Sequence, residues 1–201
     1  MPGCFIGNNV ILGDNTVLHP NVVVYDNCII GSNVIIHANT TIGSDAFYFK
    51  NRTRSFEQLQ SVGRVIIADN VHIGANCTID KGVTADTIIG KGTILDNQVH
   101  VGHDVIIGEM CLFAAQVGIA GVVTIGNNVK VWGQVGISSD IIIEDGATIL
   151  AQSGLGENVK AGATYFGSPA GNAKEKMREL FAAKQLPDLI GKLYEKETKG
   201  N

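Results

Sequence analysis

The chain has 201 residues, 45% of them hydrophobic, and a formal net charge of −4. This is enough apolar material for one substantial domain and excludes a disordered chain. The acidic balance argues against nucleic acid as the main partner, and no run approaches the roughly 18 apolar residues that a membrane-spanning helix needs.

The N-terminus, Met1-Pro2-Gly3-Cys4-Phe5-Ile6-Gly7, has no basic stretch leading into an apolar core, so no signal peptide is read and a cytoplasmic protein is expected. From Ile6 onward the chain keeps a six-residue beat. It runs through Ile6, Leu12, Leu18, Val24, Ile30, Ile36 and Ile42, resumes at Ile67, Ile73 and Ile79, slips by four residues, and continues from Ile89 to Ala161. These 23 hexads depart from Ile, Leu or Val only at Phe113 and Ala161. Four residues after each aliphatic comes a second beat of small residues, where Cys28, Cys77 and Cys111 fall; they read as reduced, packed thiols. Three residues after the aliphatic comes Asn in ten hexads and Gly or Asp in six more, types that tolerate a left-handed backbone. Neither the helical nor the strand period explains this pattern. Six residues per side and three sides per coil do, which predicts a mainly β fold: a left-handed parallel β-helix of seven to eight coils over residues 1–170.

Two interruptions break the beat. Residues 45–64 carry four aromatics and read as an external loop able to cover an apolar ligand or to pin itself to the wall. Residues 80–86 form a shorter bulge. After Gly167-Ser168-Pro169-Ala170 the period becomes helical over 171–201, with one stripe at Met177, Leu180 and Phe181, a break at Pro187, and another at Leu189, Ile190, Leu193 and Tyr194. These segments are expected to cap the open end of the solenoid. This tail holds seven Lys or Arg against five Asp or Glu, which would suit an acidic protein partner or simply a solvated face.

The candidate chemistry lies in Asp96-Asn97-Gln98-Val99-His100-Val101-Gly102-His103-Asp104. His103 follows its aliphatic by two places and so points outward at a turn. If three hexads close one coil, Gly121 stacks on it. A neutral imidazole can take a proton from an attacking amine or hydroxyl, and a glycine N–H can meet an oxyanion. Asn97, Gln98, His100 and Asp104 share the coil and are the candidate substrate-binding residues. A zinc hydratase is disfavoured: His72 and His100 hold equivalent hexad positions on different faces, and His19 and His37 should stack without a third ligand. No metal is expected.

Gln98-Val99-His100-Val101-Gly102-His103-Asp104, with Gly121 one coil on, resembles the catalytic segment of the two acyltransferases of lipid A biosynthesis. Gly63-Arg64-Val65-Ile66-Ile67, Thr78-Ile79-Asp80-Lys81-Gly82, Asp86-Thr87-Ile88-Ile89-Gly90, Asp96-Asn97-Gln98 and Phe166-Gly167-Ser168-Pro169-Ala170 resemble more specifically the UDP-3-O-(3-hydroxyacyl)glucosamine N-acyltransferases. The resemblance implies His103 as general base, Gly121 as oxyanion donor, a homotrimer, and a nucleotide-sugar acceptor. It also implies an acyl-pantetheine co-substrate on acyl carrier protein, alternatively on CoA, and no permanently bound cofactor. Hexads begin almost at once, so the family's N-terminal uridine-binding domain is expected to be missing. The alternatives are an acetyl-CoA-dependent amino-sugar N-acetyltransferase and a non-catalytic paralogue.

Overall fold

The computed structural model describes residues 1–199, with side chains through residue 191. The chain winds into a left-handed parallel β-helix with three flat walls, of eight, seven and nine strands. In the two-residue strands from Val23–Val24 to Gly154–Leu155 the second residue of the pair, the aliphatic of the hexad, is buried, and Ile30, Ile67, Ile89, Ile107 and Ile125 stack as one buried column. Cys28, Cys77 and Cys111 are buried beside such columns as free thiols, and burial raises their pKa values. Neighbouring coils are joined by backbone hydrogen bonds of 2.8–3.2 Å, as in Gly102 N–H to Ile119 C=O at 2.8 Å. The polar backbone is therefore satisfied up and down the stack rather than within a strand.

The corners turn through residues with positive φ, and these are the third-place residues of the hexads: Asn9, Asn15, Asn21, Asn27, Asn33, Asn39, Asn70 and Asn76 at one end, then Gln98, Gln116, Gln134 and Gln152 further along. The glutamines form a ladder. Each donates its side-chain N–H to the one before: Gln116 to Gln98 at 2.9 Å, Gln134 to Gln116 at 2.8 Å and Gln152 to Gln134 at 3.0 Å.

The external loop leaves after Ser44 and returns at Val65, carrying an antiparallel hairpin of Phe49–Asn51 and Phe56–Gln58. Its base is tied down: Ala46 and Ser61 are buried, and the Ala46 N–H donates to Ser61 Oγ at 3.1 Å. Val62 and Gly63 donate to the carbonyls of Val83 and Gly82, both at 3.0 Å, so the two interruptions support each other.

Two sequence expectations fail near the C-terminus. Ala161 is exposed, because Ile143 bridges Val159 and Ile149 pairs with Tyr165; the last coil is two residues short and the inward beat moves off Ala161. The tail is one helix, Ala173–Lys199, and runs straight through Pro187. Pro187 cannot donate to the Ala183 carbonyl, but that carbonyl sits on an exposed helix where water can take its place. Among the described residues the helix packs on the solenoid mainly against Thr164–Phe166 and Gly171–Asn172, and Phe181 is 66% exposed. It projects from the end rather than capping it. The side chains of Leu193 and Tyr194 lie outside the described residues. Among the described residues no helix is long and apolar enough to cross a membrane.

Candidate active site

His103 sits on the corner after the strand His100–Val101, one coil above Gly121. The imidazole lies flat over the Gly121 Cα: a Cβ built there would stand 2.5 Å from His103 Cε1 and 2.8 Å from Cδ2, closer still to Nε2. Only glycine leaves room for the ring. His103 Nδ1 lies 2.8 Å from Asp104 Oδ2. An ionised carboxylate accepts only, so Nδ1–H donates and the lone pair is left on Nε2, the nitrogen that faces Gly121.

Asp104 is fixed in turn by the second interruption. The backbone N–H groups of Val83, Thr84 and Ala85 donate to its two oxygens at 3.0, 3.3 and 2.8 Å. Burial pushes this carboxyl up, but the bonds from His103 and these backbone groups outweigh it and hold it below the usual carboxylate range. Asp104 thus orients the imidazole, and both its oxygens already accept from donors of this chain, whereas the sequence reading expected it to bind substrate.

The Gly121 N–H has no acceptor within the described residues. At some equivalent turn positions that N–H is taken by a side-chain oxygen from the next coil, as at Asn8 by Asp26, Glu109 by Asn127 and Asn127 by Asp145, while at others, such as Ala115 and Gly133, it has no acceptor among the described residues. At Gly121 the donor is left open beside the imidazole. The next residue, Val122, is a β-branched residue held at φ +65°, with its N–H bonded to the His103 carbonyl at 2.9 Å. Such a conformation costs roughly 1–2 kcal/mol.

Below the pair runs a groove of about 890 Å³. Its floor is the wall on which His100, Gly118, Gly136 and Gly154 occupy the same outward position on successive strands. Three coils without an outward side chain leave a trough, lined also by Ser138, Ser139, Ser168 and the exposed Phe47 of the external loop. His100 faces the trough, its Nδ1 2.8 Å from Thr78 Oγ1. Tyr48 meets the His103 ring edge-on, with centroids 5.6 Å apart.

Asn97 and Gln98 are not brought to this groove. They turn the preceding corner, where Asn97 Oδ1 accepts from the Ala75 N–H at 2.8 Å and Gln98 serves the amide ladder. Asn97 faces a separate cavity of about 320 Å³ with His37 and His72. There the sequence reading also needs correction, for His72 is the third ring of a column with His19 and His37, at centroid spacings of 4.5 and 4.8 Å. Burial first, then repulsion from its two neighbours, lowers the pKa of His37. Among the described residues no group of three or more His, Cys, Asp or Glu is arranged to hold a metal ion.

Sequence reasoning missed Tyr48, Asp80 and the backbone cradle of Asp104. Asp80 did carry a signal, because it directly follows the aliphatic Ile79 at the point where the hexads slip.

A solenoid of hexapeptide coils with an outward histidine over a side-chain-free turn defines a β-helical transferase architecture. The description of the bacterial transferase hexapeptide (six repeats) matches residues 9–44 and 86–121. A UDP-N-acetylglucosamine O-acyltransferase from Moraxella catarrhalis superposes with a TM-score of 0.76 at 32% identity, covering 89% of this chain and 69% of that one. The Francisella novicida UDP-N-acetylglucosamine acyltransferase gives 0.77 at 28%, over 89% and 65%. The chain belongs to the hexapeptide-repeat acyltransferase family. In sequence, the UDP-3-O-acylglucosamine N-acyltransferase of Rhizobium rhizogenes is 52% identical over 62 residues, 31% of this chain and 18% of that protein. The Herminiimonas arsenicoxydans protein of the same name is 35% identical over 100 residues, 50% of this chain and 29% of that one. The chain thus spans less than a third of the length of these curated relatives.

Proposed function

We propose that this chain is an N-acyltransferase that moves a 3-hydroxyacyl group from acyl carrier protein to the amine of a UDP-linked 3-O-acylglucosamine. The observation that carries the reading is the His103–Gly121 pair: an oriented imidazole with a free Nε2 beside an unclaimed backbone donor. The amine attacks the thioester carbonyl while Nε2 takes its proton, the Gly121 N–H meets the oxyanion, and the proton passes to the departing thiolate. The trough, about 890 Å³, is the seat assigned to the pantetheine arm in this reading. The names of the curated relatives support the amine acceptor. Hydroxyl transfer is the second reading, supported by the O-acyltransferase structures.

A homotrimer, in the cytoplasm, belongs to the same proposal. One wall presents Ile11, Ile29, Ile66, Ile88, Ile106 and Ile142 outward in a single row broken only by Thr124, with Ile142 50% exposed, a mainly apolar stripe that a second copy would cover.

The test supplies acyl carrier protein and CoA thioesters with amine and hydroxyl sugar nucleotides and follows thiol release, with light scattering for mass. His103→Ala is expected to stay folded and to lower kcat by roughly 10²–10⁴-fold, the usual worth of a positioned base. Near wild-type turnover by a folded His103→Ala protein refutes the mechanism, and a monomer mass refutes the trimer.

A further inference from the structure

Within this acyl-transfer reading, on which the inference rests, we infer that Asp80 selects an amine acceptor by binding its ammonium group in the groove beside His103. Asp80 ends the strand Thr78–Asp80, where the pairing with Thr41–Ser44 shifts register between Ile79 and Asp80. Without that shift the chain would turn its usual corner. With it, the carboxyl is directed to the groove that also holds His100 and His103.

The side chain is only 9% exposed. One oxygen is committed: Ser44 Oγ donates to Oδ1 at 2.6 Å. The other, Oδ2, has no donor among the described residues, and the nearby His100 Nε2 is 3.9 Å away, beyond hydrogen-bonding reach. Asp80 is the only carboxylate lining the groove among the described residues, since Asp104 is turned away and fully occupied. A nearly buried carboxylate with one oxygen unclaimed and opening on a ligand groove is built to receive a cationic donor.

The groups facing it are Ser44, His100, His103 and Asp45. Burial is the largest influence and raises its pKa, Ser44 and the two histidines oppose this, and Asp45 adds to it. The site lacks a permanent cation, and an arriving ammonium supplies one. An amino sugar enters at neutral pH as R–NH3⁺, whereas a hydroxyl acceptor brings no charge and gains little from Asp80.

The chemistry then balances. The bound ammonium releases one proton to solvent, and the amine nitrogen forms a bond to the thioester carbonyl carbon. The second proton passes to His103 Nε2, the C–S bond breaks, and the thiolate collects that proton. Amide, thiol and one solvent proton result.

The experiment uses Asp80→Asn, which keeps the volume and the Ser44 bond, and Asp80→Glu, which keeps the charge. Each is checked for fold by circular dichroism. Histidine ring resonances are titrated by NMR with glucosamine and with N-acetylglucosamine, which differ in the ammonium. Wild type is expected to prefer glucosamine by roughly ten- to a hundredfold, the worth of one hydrogen bond to a charged group. Asp80→Asn should lose the preference and Asp80→Glu recover part of it. Equal binding of both sugars by wild type, binding of neither, or a preference kept in Asp80→Asn overturns the inference. A parallel thiol-release assay separates it from the function: no transfer to any acceptor by wild type removes acyl transfer, while the titration still decides Asp80. With turnover, Asp80→Asn should raise KM for the amine acceptor more than it lowers kcat.

Discussion

Replacing Gly121 with alanine places a methyl group inside the van der Waals envelope of the His103 ring, 2.5 Å from Cε1. Gly121 does not need a positive φ, so the backbone accepts alanine and the conflict falls on the imidazole. To escape, the ring must swing off the turn and give up its 2.8 Å bond to Asp104. Asp104 keeps its three backbone donors, so the loss lies at the low end for a hydrogen bond to a charged group, about 1.5 kcal/mol. In a chain of this size that is a fall in Tm of roughly 3–6 °C. The effect on turnover is expected to be far larger, because displacing a reacting group by about 1 Å costs on the order of 10²-fold, and the methyl also crowds the Gly121 N–H. Thiol release and a circular dichroism melt on the same preparation measure both. A Gly121→Ala protein that melts in this range but turns over like wild type shows that the ring's seat on Gly121 has no part in the reaction.

Val122→Asn relieves a β-branched residue at positive φ and is expected to stabilise by about 1 kcal/mol, raising Tm by roughly 2–4 °C with turnover unchanged. An unchanged or lower Tm contradicts the strain. The Asp104 carboxyl is held below its unfolded pKa, so its contribution to stability is present above about pH 4 and is lost as pH falls through the folded value. The stability gap between wild type and Asp104→Asn in urea melts should therefore be constant near neutrality and narrow in acid; a gap constant throughout removes the assignment.

The β-helix and the register of its site were legible because both follow from one integer. Six residues per side fix which residues point inward, and eighteen per coil place Gly121 under His103. Reading failed wherever the count was broken. His72 joins His19 and His37 because the external loop lies between them, so 35 residues rather than 18 separate His37 from His72. The cradle of Asp104 is made of backbone N–H groups from 83–85, and main-chain donors leave no residue signature. Asp80 faces the groove at a register shift, whose place the slip in the hexads marks but whose direction it does not give. Pro187 was read as a helix breaker, but on a helix projecting into water the orphaned carbonyl is solvated and the break is not enforced.

Stacked parallel strands with aligned amide ladders are also the construction of a cross-β fibre, and nothing inside a solenoid tells it where to stop. Here the stop is physical: Gly171–Asn172 doubles back antiparallel on Thr164–Phe166 and the helix leaves from that point. The reversed strand presents the wrong polarity to any further parallel coil. Removing it would uncover, on that one wall, a parallel edge able to template a neighbour, an edge now closed by a two-residue strand.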